Sequence, residues 1–363
     1  MALEHDEWIE RVFGIQMPTA LADPYAASGL ETAAAGGLGN GHAAGASAAH
    51  PAAHRSRGPA RPVPRAGLGP AQASRAGDLV AKMPPADRAK VVDLLNKTGD
   101  GERPYLVKAI ASGHPASEVI AFHPWIAGKP HAWIEDNLHL VGNTHGEGIK
   151  QQWANSCVPT VVEAMRGELD PIYALRMHDQ SPALTQADDK DGTRLNPKLA
   201  AMQRRELLDV GSDADSRGTP KPHPGESDTD VMGHLYGATG LKFRHKSMGF
   251  EEIFATQAVK EMKTTPKLHQ AFEEVRSSLK AGLPVPLAVA KVLSVGKLKV
   301  TVATHLMLCV GSDPGPPPRY SIHDPDTGNT VVVSEEDMWN GDFHIGHAGQ
   351  IFLEGTYVPV AGK

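Results

Sequence analysis

Cys157 and Cys309 are the only two thiols in this chain of 363 residues, and Cys157 stands where a thiol can be activated. It follows Gly148, Gln151, Gln152 and Trp153, and it is followed by Val158, Pro159, Val161, Val162 and Met165. Proline in a first turn and an aliphatic face beyond it predict a helix that opens at the cysteine. There the free N–H groups and the macrodipole favour thiolate over thiol. A thiolate so placed can attack an acyl carbon, provided that a base and an orienting group arrive from elsewhere in the chain.

The base is expected at His305. In the strand-like run Lys299 to Val310, alternation puts Val300, Val302, Leu306, Leu308 and Val310 on one face and Thr301, Ala303, His305, Met307 and Cys309 on the other. In the next such run Tyr320, Ile322 and Asp324 share a side, and Pro325 ends the pairing. Asp324 can then meet the second ring nitrogen of His305 and fix its tautomer. Gln151, six positions before the cysteine, can donate its amide to a developing oxyanion together with the Cys157 N–H. Gln152 competes for that role, and His323 and His145 compete with His305. However, His323 points away from the Asp324 side and His145 precedes the nucleophile. Each residue also has a structural reading: a buried small hydrophobe or a Cys157–Cys309 disulfide for the cysteine, a core histidine, and an Asx turn in Asp324 to Gly328.

These residues need elements to hold them. Helices are expected over Ala89 to Lys97, Pro104 to Ser112, around Val119 and Phe122, at Asn196 to Arg205, Asp230 to Thr239, Phe250 to Met262 and Pro266 to Ala281. Strands are expected at 241–244, 283–289, 299–310, 319–324, 329–333 and 349–353. A helical front and a sheet of short antiparallel strands behind it make an α+β architecture. Trp125 and Trp133 are expected to anchor the core. The chain divides into a short amphipathic segment (1–25, with Trp8, Ile9, Val12 and Phe13 on one face), an Ala/Gly/Pro-rich linker expected to be disordered (26–75), a small helical region (76–142) and the domain carrying the site (143–363).

Composition narrows the function. A net charge of −6 argues against general nucleic-acid binding, and no apolar run reaches the roughly 18–20 residues of a membrane helix. The N-terminus lacks the pattern of a signal peptide, so the expected location is the cytoplasm of the producing cell, with export by a specialised system as the other route. No cofactor and no metal is expected. His42, His50 and His54 have no acidic or cysteine ligands beside them, and the acidic stretches 188–192 and 213–215 lack the downstream glutamate of a calcium loop.

With these residues in place, the chain resembles the papain-fold cysteine peptidases, and within them the C39-like branch. Gln151 to Cys157 is similar to the family's glutamine-to-cysteine motif and Ala281 to Val285 to its Gly-x-Pro-Val segment. Thr304-His305 is similar to its histidine strand and Tyr320 to Gly328 to its aspartate-proline turn. The resemblance covers about residues 143 to 355, and it departs at Ser156-Cys157-Val158, where the branch has Asp-Cys-Gly. It implies a papain-like fold and a Cys157, His305, Asp324 and Gln151 site acting on a protein or peptide. A bacterial effector, toxin or self-processing protease would be a natural context. The amphipathic N-terminal segment is then a candidate contact for a secretion apparatus or an inhibitor protein, and the 190s-to-220s loop a candidate cover for the cleft. A glutamine deamidase, a transglutaminase-like acyltransferase, a cell-wall amidase and a non-catalytic interaction module are the alternatives.

Overall fold

The computed structural model describes residues 63, 65–142, 148–151, 156–178, 197–209, 227–247, 266–295, 298–340 and 351–360. Helices come first: α1 (Pro70–Lys82), α2 (Pro85–Lys97), α3 (Arg103–Ala111), α4 (Ala116–Ile126) and α5 (His131–Asn137). Prolines at the start of α1, α2 and α3 preset the helical φ where no N–H is needed. Val80, Val91, Leu95, Leu106, Ile110, Val119 and Phe122 close a core of their own among these helices.

The next helices are α6 (Cys157–Leu169), α7 (Pro171–His178), α8 (Pro197–Asp209) and α9 (Asp228–Thr239). After them come β1 (Lys242–Ser247), α10 (Pro266–Lys280), β2 (Val285–Val295), β3 (Leu298–Asp313), β4 (Arg319–His323), β5 (Thr330–Ser334), α11 (Glu335–Asn340) and β6 (Ile351–Val360). The strands form one antiparallel sheet in the order β1-β6-β2-β3-β4-β5. The whole is therefore a mixed helix-and-sheet, α+β architecture. Alternation along β3 supplies both faces. Leu306, Leu308 and Val310 pack with Val161, Val162 and Met165 of α6, whereas Met307 and Cys309 pack with Phe272 and Val275 of α10. The α6 helix is buried along nearly its whole length, so its position is set from several sides.

Several expectations need correction. The chain is ordered before residue 75: α1 begins at Pro70, Ala66 N–H donates to Val310 O at 2.7 Å, and Arg65 bridges to Gly311. A Cβ on Gly69 would lie 2.0 Å from the Ala281 carbonyl carbon, so glycine is what lets this segment dock against the end of α10. Arg65 then reaches Glu168 at 3.0 Å and the Val141 carbonyl at 2.6 Å. Leu140 and Val141 belong to the core around α6, so the boundary between the helical region and the sheet domain falls before them. Trp125 is 61 % exposed and anchors nothing, while Trp133 is half-buried with the Lys129 ammonium 5.0 Å from its ring. The α1, α5, α7 and α11 helices had no counterpart in the expectations. The amphipathic segment 1–25, the helix expected at 250–262, the linker histidines and the acidic stretches at 188–192 and 213–215 lie outside the described residues. Among the described residues no helix is long and apolar enough to cross a membrane.

Candidate active site

Cys157 is the first residue of α6 and half-buried. Ser156 caps the helix through its backbone, its carbonyl accepting Thr160 N–H at 3.1 Å, and no acidic side chain occupies the first turn. The positive end of the helix is therefore not neutralised by its own residues. Leading up to it, Ile149 N–H donates to Leu140 O at 2.8 Å and Gly148 N–H to Gly328 O at 2.8 Å. Gln151 N–H donates to Pro325 O at 2.7 Å. The approach to the cysteine is thus stitched to the turn that follows Asp324. Glycine is required on both sides of that seam: Gly328 has φ +73°, and a Cβ on Gly148 would lie 2.4 Å from Gly142 N.

His305 stands in β3 where the ladder with β2 slips, Val289 pairing with His305 and Ala290 with Ala303. Bulges re-aim side chains, and here one immediately precedes the histidine. On its other side β4 pairs with β3 only as far as His323 opposite Leu308, so His305 lies on an uncovered edge that the N-terminus of α6 can approach. Past the slip the register stays continuous, Val289 opposite His305 and Leu287 opposite Met307, so His305 keeps the side of the strand that alternation gives it. His305 Nε2 donates to Asp324 Oδ1 at 2.6 Å, and Cys157 hydrogen-bonds the same ring, which leaves Nδ1 for the thiol. Burial disfavours charge on the imidazole, but the hydrogen bonds and charges of Asp324 and Cys157 outweigh it and hold His305 up to about 9.

Asp324 has no solvent exposure. Burial raises its carboxyl, yet His305, the Asp326 N–H at 3.0 Å and the Thr327 hydroxyl at 3.0 Å hold it below the usual carboxylate range. The structure thus brings Cys157, His305 and Asp324 together as an imidazole bracketed by a thiol and a carboxylate. Such a constellation can hold a thiolate–imidazolium pair and pass a proton to a leaving group.

Gln151 is bonded to the same turn, but its Nε2 donates to Asp326 Oδ1 at 3.0 Å. Gln152 and His145 lie outside the described residues. His323 faces away, as expected: it is fully buried, and its Nε2 bonds the Ile149 carbonyl at 2.9 Å. Burial pushes it down to about 4, so it is a neutral donor bracing the approach segment. Cys309 is buried in the α10 layer, and burial pushes its thiol up to about 12. Both cysteines are free, and no disulfide joins them.

One contributor went unforeseen. Gln203 of α8 is fully buried, accepts from Ser156 Oγ at 3.5 Å and donates to Lys150 O at 3.3 Å, so it ties α8 both to the residue before Cys157 and to the approach segment at Lys150. The helical pattern at Asn196 to Arg205 was visible, but nothing in it marked this glutamine. Among the described residues no group of three His, Cys, Asp or Glu side chains could hold a metal ion. No protein-family model matches the sequence, and neither does any curated protein.

Proposed function

We propose that the chain is a papain-like cysteine hydrolase that cleaves amide bonds in protein or peptide substrates, a cysteine peptidase. The observation that carries this reading is His305 held between Cys157 and the buried Asp324, with Nε2 2.6 Å from Oδ1. Cys157 attacks the scissile carbonyl as thiolate, and the oxyanion is met by the Cys157 N–H and the Gln151 amide. His305 gives its proton to the departing amine, leaving a thioester on Cys157. Water, deprotonated by His305, then releases the acid and restores the thiol. Asp324 keeps the ring oriented throughout and stays ionised.

The test is incubation of the wild-type chain and Cys157→Ala with a proteome-derived peptide library, read by mass spectrometry. Peptides with new termini, formed by the wild type alone, are expected. Equal cleavage by Cys157→Ala would remove the nucleophile. Intact backbones with glutamine converted to glutamate would reassign the same site to a deamidase.

A further inference from the structure

Gln151 Oε1 is buried without a hydrogen-bond partner among the described residues, whereas Nε2 of the same amide donates to Asp326 Oδ1 at 3.0 Å. A buried orphan acceptor is costly and uncommon, so something specifies this orientation over the flipped one. The two ends of a glutamine amide have nearly the same shape, and an ionised carboxylate accepts hydrogen bonds but cannot donate them. Asp326 therefore admits only the nitrogen end and leaves the oxygen stranded. The nitrogen has two hydrogens and Asp326 takes one. Were the amide flipped, an oxygen would stand in place of a donor.

Asp326 is itself held in place by the aspartate of the site. Its N–H donates to Asp324 Oδ1 at 3.0 Å, and between the two aspartates the Pro325 carbonyl accepts Gln151 N–H at 2.7 Å. We propose that Asp326 is a positioning residue that fixes the Gln151 amide with a nitrogen available to the oxyanion, so that one turn orients both the base and the oxyanion donor. This rests on the hydrolase reading above. It gives the second aspartate of Asp324-Pro325-Asp326 a role of its own, acting through Gln151 while Asp324 acts through His305.

Two reactions of the same thiol test it. Acylation of Cys157 by p-nitrophenyl acetate develops an oxyanion: the sulfur–carbonyl bond forms as p-nitrophenolate leaves. Alkylation by iodoacetamide displaces iodide and develops none. Asp326→Ala is expected to slow acylation roughly 10- to 100-fold while alkylation keeps its wild-type rate. Gln151→Ala/Asp326→Ala should be no slower than Gln151→Ala alone. Asp326→Asn, which can accept from or donate to either amide end, should lose part of the acylation rate with the same selectivity. It also decides the matter should the alanine variant fail to fold. Additive losses in the double variant, or alkylation falling in step with acylation, would overturn the role of Asp326 and leave the hydrolase reading standing. Acylation that persists unchanged in Cys157→Ala would overturn both.

Discussion

His305 Nε2 donates to Asp324 Oδ1 at 2.6 Å, and the aspartate that accepts it has no solvent exposure. A buried carboxylate beside an imidazole favours imidazolium and fixes which ring nitrogen faces the thiol. Asp324→Asn keeps the shape and removes the charge. Its turnover should fall about 10²- to 10⁴-fold, and the pH midpoint of Cys157 alkylation that reports His305 should drop from about 9 towards an ordinary histidine value. Rates of iodoacetamide alkylation across pH measure the shift.

The same pair contributes to stability with a definite sign. An unfolded imidazole titrates near about 6.5 and the folded one near 9, so the stabilisation is complete below the first value and is lost as pH rises through the second. Melting temperatures at pH 6 and pH 10 should therefore differ more for the wild type than for Asp324→Asn. Equal differences would mean that the pair is not ionised as described.

His323 titrates in the opposite sense. Its folded value near 4 lies below the unfolded one, so its contribution is complete above about 6.5 and is lost as pH falls through 4. His323→Gln retains a donor for the Ile149 carbonyl without a group that must charge. Its unfolding free energy should fall less between pH 6.5 and pH 4 than that of the wild type, measured by urea titration at each pH.

Much of this site was legible from local pattern. The helix at Cys157 follows from Pro159 and the aliphatic residues after it, and Asp324 at the end of a strand follows from Pro325. The identity of His305 and its side of the strand were legible from alternation, but the slip against β2 and the early end of β4, which leave it on an uncovered edge, were not. The contacts of Arg65, Gln203 and Asp326 were out of reach for a different reason. Each joins segments far apart in sequence, and a lone arginine, glutamine or aspartate in a polar stretch gives no periodic signal of what it will meet. Trp125 failed because burial was inferred from residue type, and residue type does not say which side of α4 faces the core.

Gln203 offers a way to test what its bonds to Ser156 and Lys150 contribute. Gln203→Leu has similar bulk and cannot bond Ser156 or Lys150. Small displacements of reacting groups are expensive, so turnover should drop roughly 10- to 100-fold while the fold persists. Circular dichroism and steady-state kinetics on the same preparation check both halves.

The central claim is that Cys157 is a nucleophile activated by His305, and labelling with a peptidyl epoxide followed by peptide mapping tests it most directly. One adduct on Cys157 is predicted, retained in Cys309→Ala and slowed strongly in His305→Ala. Equal labelling of Cys157 and Cys309, or an unchanged rate in His305→Ala, would contradict it.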